Sequence, residues 1–218
     1  MNEFIKSIPK NVKLVAVSKT QPCEIIRHAY SNGLRIFGES KPQELVRKYN
    51  ELPKDIEWHF IGHLQTNKIK HIAPFVNLIH SVDSPRLLAE INKEATRQNR
   101  IINCLLQLHI AKEESKFGFT VDELQEYLST GEFLNYAFVK IVGLMGIATF
   151  TDNTAQIRSE FQTLRKIFET VGKTAFAGDA DFCELSMGMS NDYKIAISES
   201  STIVRIGSLI FGERNYSK

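Results

Sequence analysis

At 218 residues, with 43% hydrophobic and 24% charged residues and no low-complexity tract, the chain can bury a sizeable core, which excludes wholesale disorder. Its formal charge of +2 comes from interspersed acids and bases rather than a basic block, so it carries no electrostatic footprint for nucleic acid. The opening MNEFIKSIPK lacks the apolar stretch of a signal peptide, and no run reaches the roughly 18 apolar residues of a membrane helix.

Cys23, Cys104 and Cys183 are odd in number, far apart and outside any CxxC spacing, so a soluble protein of a reducing cytoplasm is expected. The first predicted element is a strand over 13–17, whose apolar run leads straight into Ser18 and Lys19. A half-exposed strand would alternate apolar with polar, so this one reads as buried on both faces. A helical pattern over 22–32 follows, then strands over 35–38, 57–61 and 77–80. A helix over 85–98, a strand over 103–108, a helix over 121–129 and a strand over 140–144 continue the alternation.

Over 154–171, Ile157, Phe161, Leu164, Ile167, Phe168 and Val171 fall at spacings of three and four and share one helix face. Strands over 182–186 and 203–206 complete a set of eight, with a helix expected near Ala196 and Ile197. Each helix stripe must be buried, and parallel strands need crossovers of this length. Eight such units close into a (β/α)8 TIM barrel, an α/β fold with helices outside; an open doubly wound sheet is the alternative. A single domain over 1–218 is expected, since no Gly, Pro or Ser-rich linker divides the chain.

In such a barrel the chemistry sits at the carboxyl ends of the strands, where Lys19 falls. A lysine at a strand end is ordinarily a solvated or paired cation; its chemical alternative is an amine that forms a Schiff base with a carbonyl. Leu185 to Tyr193, LSMGMSNDY, and Val204 to Arg214, VRIGSLIFGER, leave the seventh and eighth strands. Loops in those places, with a short helix start, are the usual phosphate site of this fold, although each alone also reads as an ordinary turn. A lysine opposite two such loops, with an arginine nearby, suits an aldehyde that carries a phosphate, such as pyridoxal 5′-phosphate.

VAVSKTQP, IFGES, EWHFIGHLQTNK, HSVDS, SKFGF, LSMGMSNDY and VRIGSLIFGER together resemble the pyridoxal phosphate homeostasis protein family, which is similar to the barrel domain of a bacterial alanine racemase standing alone. The resemblance spans roughly 13–216. It implies that Lys19 holds pyridoxal 5′-phosphate as an internal aldimine. It also implies that Ser186, Ser190, Gly207 and Ser208 hold the phosphate, and that Arg205 faces the pyridine nitrogen. Met187 and Met189 would lie beside the cofactor, with core packing as their alternative, and His63 and Asn67 would border the site from the loop after the third strand.

A permanent cation at the pyridine nitrogen disfavours its protonation and so weakens its use as an electron sink. A racemase also needs a second base, a tyrosine that a partner's C-terminal domain sets in the alanine racemases, and no such domain is expected here. Tyr193 and Tyr216 are the candidates to replace it, against core or surface packing. The resemblance therefore implies a cofactor carrier in vitamin B6 homeostasis, without efficient catalysis, monomeric or weakly dimeric, with apo-enzymes that use the cofactor as partners. A racemase using the same lysine is the alternative function.

Ser40 stands where the family usually has asparagine, and Glu199 in ESST where a glycine-rich segment is usual. A helix before the first strand is expected to be short or missing. Lys116 matches a recurrent family lysine and is a candidate to accept cofactor transiently for delivery, against a solvated loop lysine beside Glu113 and Glu114 as an equal alternative. His59 and His63 have an HxxxH spacing but no third ligand in view, so no zinc site is expected. GKT at 172–174 lacks the earlier glycine of a phosphate-binding loop.

Overall fold

The computed structural model describes residues 2–112 and 117–212. Eight parallel strands close into one barrel in chain order, with β1 paired to both β2 and β8. The strands are β1 (Lys13–Val17), β2 (Ile36–Glu39), β3 (Glu57–Phe60), β4 (Leu78–Val82), β5 (Ile102–Leu108), β6 (Val139–Gly146), β7 (Glu184–Ser186) and β8 (Ile203–Ile206). This is the (β/α)8 barrel expected from the alternating pattern. A short α1 (Asn2–Ser7) precedes β1.

The helices between the strands are α2 (Cys23–Ser31), α3 (Pro42–Glu51), α4 (Ile69–Ile72), α5 (Pro85–Arg97), α6 (Val121–Ser129), α7 (Thr154–Lys173) and α8 (Tyr193–Ser198), with α9 (Ser208–Phe211) after β8. Three of them start on a side-chain cap. Ser84 accepts the Leu87 N–H before α5, Thr120 and Glu123 form a reciprocal capping box at α6, and Asn153 accepts the Gln156 N–H at α7. In α7 the predicted stripe faces the sheet, with Ile157, Phe161, Leu164 and Val171 buried. Burial of each such side chain contributes about 1.5 to 3 kcal/mol.

Successive strand residues point to opposite faces, so each strand supplies both the helix layer and the barrel interior. Ala16, Phe37, Trp58, Phe60 and Val204 join the large cluster under the helices. Val15, Leu78, Leu105, Val142, Met145 and Ile203 form a second cluster inside the barrel. The interior is not wholly apolar, because His59, His80, Ser186 and Arg205 are buried too. Among the described residues no helix is long and apolar enough to cross a membrane.

Candidate functional site

Lys19 leaves β1 at the carboxyl end of the barrel and lines a cavity of about 700 Å³. Its backbone neighbourhood is held from below by Lys48, a fully buried lysine of α3. The Lys48 ammonium donates to the Ser18 carbonyl at 2.7 Å, to Glu39 Oε1 at 2.8 Å and to Glu44 Oε1 at 2.7 Å. Ser18 Oγ donates to the same Glu39 oxygen at 2.6 Å, and the Thr20 N–H donates to Glu44 at 2.7 Å. Thr20 sits at φ 68°, a left-handed conformation that a threonine avoids unless its surroundings impose it. Burial raises the Glu39 pKa, and the Lys48 charge opposes that rise.

On the other side of the cavity stand Met189 and Ser190 from the loop after β7, and Gly207 and Ser208 after β8. Gly188 has φ 94°, and a Cβ there would lie 2.5 Å from that of Ala196. Only glycine lets this loop pack onto α8 and turn Ser190 toward β8, where its Oγ accepts the Gly207 N–H at 3.3 Å. Asp192 Oδ1 accepts the Met189 N–H at 2.5 Å and ties the same loop.

Arg205 forms part of the floor. Its guanidinium donates to Ser186 Oγ at 2.6 Å and to the Gly146 carbonyl at 3.0 Å. Complete burial pushes its pKa down to about 10, with Asp192 acting in the opposite sense, so it stays a cation at neutral pH. The loop after β6 closes the remaining side with Ile147, Thr149 and Asp152. Glu160 of α7 sets this loop by accepting both the N–H and the hydroxyl of Thr149 at 2.7 Å.

Of the residues singled out in the sequence, Lys19, Ser40, Met189, Ser190, Arg205, Gly207 and Ser208 line this one cavity. Ser186 does not. It is buried beneath Arg205, because β7 turns its side chain into the barrel, where it meets His80 as well. Met187 points the other way and is buried in the helix-layer core. His63 sits on the rim, paired with Asp83 at 3.1 Å and stacked on Phe117, and Asn67 is exposed in the one-turn helix Thr66–Lys68. Neither of these two lines the cavity.

Tyr193 opens α8 and packs edge-on against Phe4, not among the cavity residues. Tyr216 and Lys116 lie outside the described residues. Glu199 is a buried tie, accepting from Arg158 at 2.5 Å and from Arg165 at 3.1 Å, and so joins α7 to the end of α8. His59 and His63 diverge, as their spacing across Gly62 suggests: His59 is buried against His80, while His63 is exposed.

Sequence reasoning missed the Lys48 network, the His59–His80 pair and the loop after β6. The available signal for the first was IFGES itself, since an acid at the end of a buried strand requires a partner.

Comparison with known proteins follows the same outline. The family profile described as alanine racemase, N-terminal domain, matches residues 1–215. A pyridoxal phosphate homeostasis protein of Aquifex aeolicus is 42% identical over 206 residues, covering 94% of this chain and 88% of its own. PipY of Synechococcus elongatus superposes with a TM-score of 0.90 and 33% identity in its structure without PLP, and 0.87 and 34% in its structure with PLP bound. Each superposition covers 96% of this chain and 97% of PipY. The chain therefore belongs to the alanine racemase N-terminal domain family and, within it, to the pyridoxal phosphate homeostasis proteins.

Proposed function

We propose that this protein holds pyridoxal 5′-phosphate in the upper cavity, with the Lys19 amine bound to the cofactor's aldehyde as a Schiff base, and takes part in pyridoxal phosphate homeostasis without efficient catalysis. The observation that carries this reading is the convergence of Lys19, Ser190, Ser208 and Arg205 on one cavity of about 700 Å³. The donor set fits the group: an amine for the aldehyde, hydroxyls for a phosphate, and a buried cation on the floor. When bound, pyridoxal phosphate supplies an electrophilic carbon and, if its ring nitrogen is protonated, an electron sink.

The chain's own residues divide the work. Lys48 and Glu44 fix the segment that carries Lys19. Ser190 and Ser208 offer hydroxyls at the strand ends opposite. Arg205, a cation at neutral pH, disfavours a second positive charge beside it, which argues against carbanion chemistry. The racemase alternative draws no support from Tyr193, which packs on Phe4 instead of lining the cavity.

Transfer of the cofactor to apo-enzymes, by a monomer in the cytoplasm, belongs to the same proposal. Cys23, Cys104 and Cys183 are all free thiols, in keeping with a reducing compartment. The test is the visible spectrum of the purified protein titrated with pyridoxal phosphate, beside Lys19→Ala. A borohydride-reducible band in the wild type that the variant lacks supports the reading; its absence from the wild type overturns it. D-alanine formed from L-alanine at a Lys19-dependent rate would replace the carrier with a racemase.

A further inference from the structure

The barrel interior contains a polar file that the site chemistry above does not use. Below Arg205, Ser186 Oγ lies 2.9 Å from His80 Nδ1, and His80 Nε2 lies 3.0 Å from His59 Nδ1. His59 in turn lines a second cavity, of about 630 Å³, at the amino-terminal mouth of the barrel. Arg205, Ser186, His80 and His59 come from four different strands and are all buried. Together they connect the floor of the upper cavity to the lower mouth.

Donor and acceptor arithmetic gives the file a direction. A guanidinium only donates, so Ser186 Oγ accepts from Arg205. Among the described residues the hydroxyl's other partner is His80 Nδ1, so the Ser186 proton goes there and Nδ1 must be the bare nitrogen. The His80 proton is then on Nε2 and is donated to His59 Nδ1, leaving the His59 proton on Nε2. Reversing the two rings would leave the Ser186 hydroxyl proton without an acceptor in a buried site.

Both rings are neutral for a reason independent of this geometry. Burial lowers the His59 pKa to about 3, with Lys13 adding to the effect, and burial followed by the His59 and Arg205 charges lowers that of His80. Along the file from Arg205 to His59, every donor therefore points away from the upper cavity. A hydroxyl that donates becomes a better acceptor, so the file raises the electron density that Ser186 Oγ offers to Arg205. That matters because, among the described residues, the two acceptors holding the guanidinium, Ser186 Oγ and the Gly146 carbonyl, are both neutral.

We propose that Ser186, His80 and His59 form a one-directional hydrogen-bond relay that fixes the Arg205 guanidinium, which makes His80 and His59 positioning residues of the upper site. The consequence for pyridoxal phosphate rests on the function proposed above; the relay itself does not. Two kinds of measurement separate them. Nitrogen-15 NMR of histidine- and arginine-labelled wild type reads the tautomers and the exchange of the Arg205 Nη protons without cofactor. Pyridoxal phosphate titration of His80→Leu and His80→Gln reads the positioning.

The expected result is an Nε2–H tautomer at both His80 and His59 and slow Arg205 Nη exchange. His80→Leu should speed that exchange and weaken cofactor binding about tenfold, the scale of one charge-assisted hydrogen bond, while its Lys19-dependent reducible band persists. His80→Gln, which can accept and donate in the same directions, should recover most of the loss. An Nδ1–H tautomer at either ring in the wild type overturns the relay. Unchanged Arg205 exchange with binding within about twofold in a folded His80→Leu overturns the positioning role. If the wild type shows no reducible band, the cofactor reading fails, and the tautomers with Arg205 exchange decide the relay.

Discussion

The two mouths of the barrel use their carboxylates differently. At the lower mouth acids pair with lysine side chains, Glu184 with Lys13 and Asp181 with Lys140. At the upper mouth Glu39 and Glu44 also pair with a lysine, the buried Lys48, but here acids in addition accept backbone N–H groups of the loops that build the cavity: Glu44 from Thr20, Glu160 from Thr149 and Asp192 from Met189. One end thus sets its acids against partly exposed lysine side chains, while the other uses charge to hold loop backbone in place around Lys19 and Arg205. An anchored loop has lost its freedom before any ligand arrives, which lowers the entropic cost of binding. The difference distinguishes the upper end, where the site is proposed, more directly than cavity size does, since the two cavities are of similar volume.

The largest expected effect on stability comes from the anchor under Lys19. Lys48→Met removes the buried partner of Glu39 and releases Glu44 and the Ser18 carbonyl, and should cost about 3 to 5 kcal/mol in urea unfolding. The loss is of an uncompensated buried charge and not of packing, so Lys48→Met combined with Glu39→Met should recover at least part of it. A double variant no more stable than Lys48→Met alone would show that the network's value lies in holding the backbone.

Next in size is the effect of acid on the histidines between the two mouths. Folding lowers the pKa of His59 and His80, so below pH 6.5 the unfolded chain takes up protons that the folded chain excludes. Their contribution is complete above that value and is lost as the pH falls, at up to about 1.4 kcal/mol per pH unit for each ring. Glu39 acts in the opposite sense, because burial raises its pKa and the folded form keeps its proton to higher pH. Denaturant midpoints between pH 7 and pH 5 should therefore decline with acidification, and the decline should be shallower in His59→Gln. A flat profile in the wild type would contradict neutral buried imidazoles.

Most of the barrel was legible in the sequence because each strand carries its own signature. Leu14 to Val17 is apolar on both faces, and α7 repeats its apolar residues at helical spacing from Ile157 to Val171. The ends were less so. β6 runs two residues past the expected 144, since its pairing with β5 continues to Leu108 and Gly146. β7 begins at Glu184 and not at 182, because Phe182 is taken into an aromatic stack with Phe168 and Phe176.

Of the site, Lys19 and the loops after β7 and β8 could be read locally, as strand ends followed by small polar residues. The relay could not. His80 and Ser186 are 106 positions apart and meet only because the barrel closes. Lys48 looks like an ordinary surface charge in PQELVRKYNE until β2 places Glu39 against it. Such contacts are products of tertiary packing, for which local pattern has no signal.

The smallest effect sharpens the comparison between the mouths most economically, because β1 carries a lysine near each. Lys13 and Lys19 are six positions apart in sequence and face opposite ends of the barrel, one against Glu184 and the other in the upper cavity. The Lys13 side chain is more than half exposed, so its ion pair is screened by water and salt, and Lys13→Ala should cost less than about 1 kcal/mol. Its Lys19-dependent cofactor band should be unchanged, whereas Lys19→Ala should abolish the band. Loss of the band in both variants would mean that charge on β1, and not the position of one amine, governs retention. Loss in Lys19→Ala alone would place the chemistry at one end of a single strand and leave the other end to the scaffold.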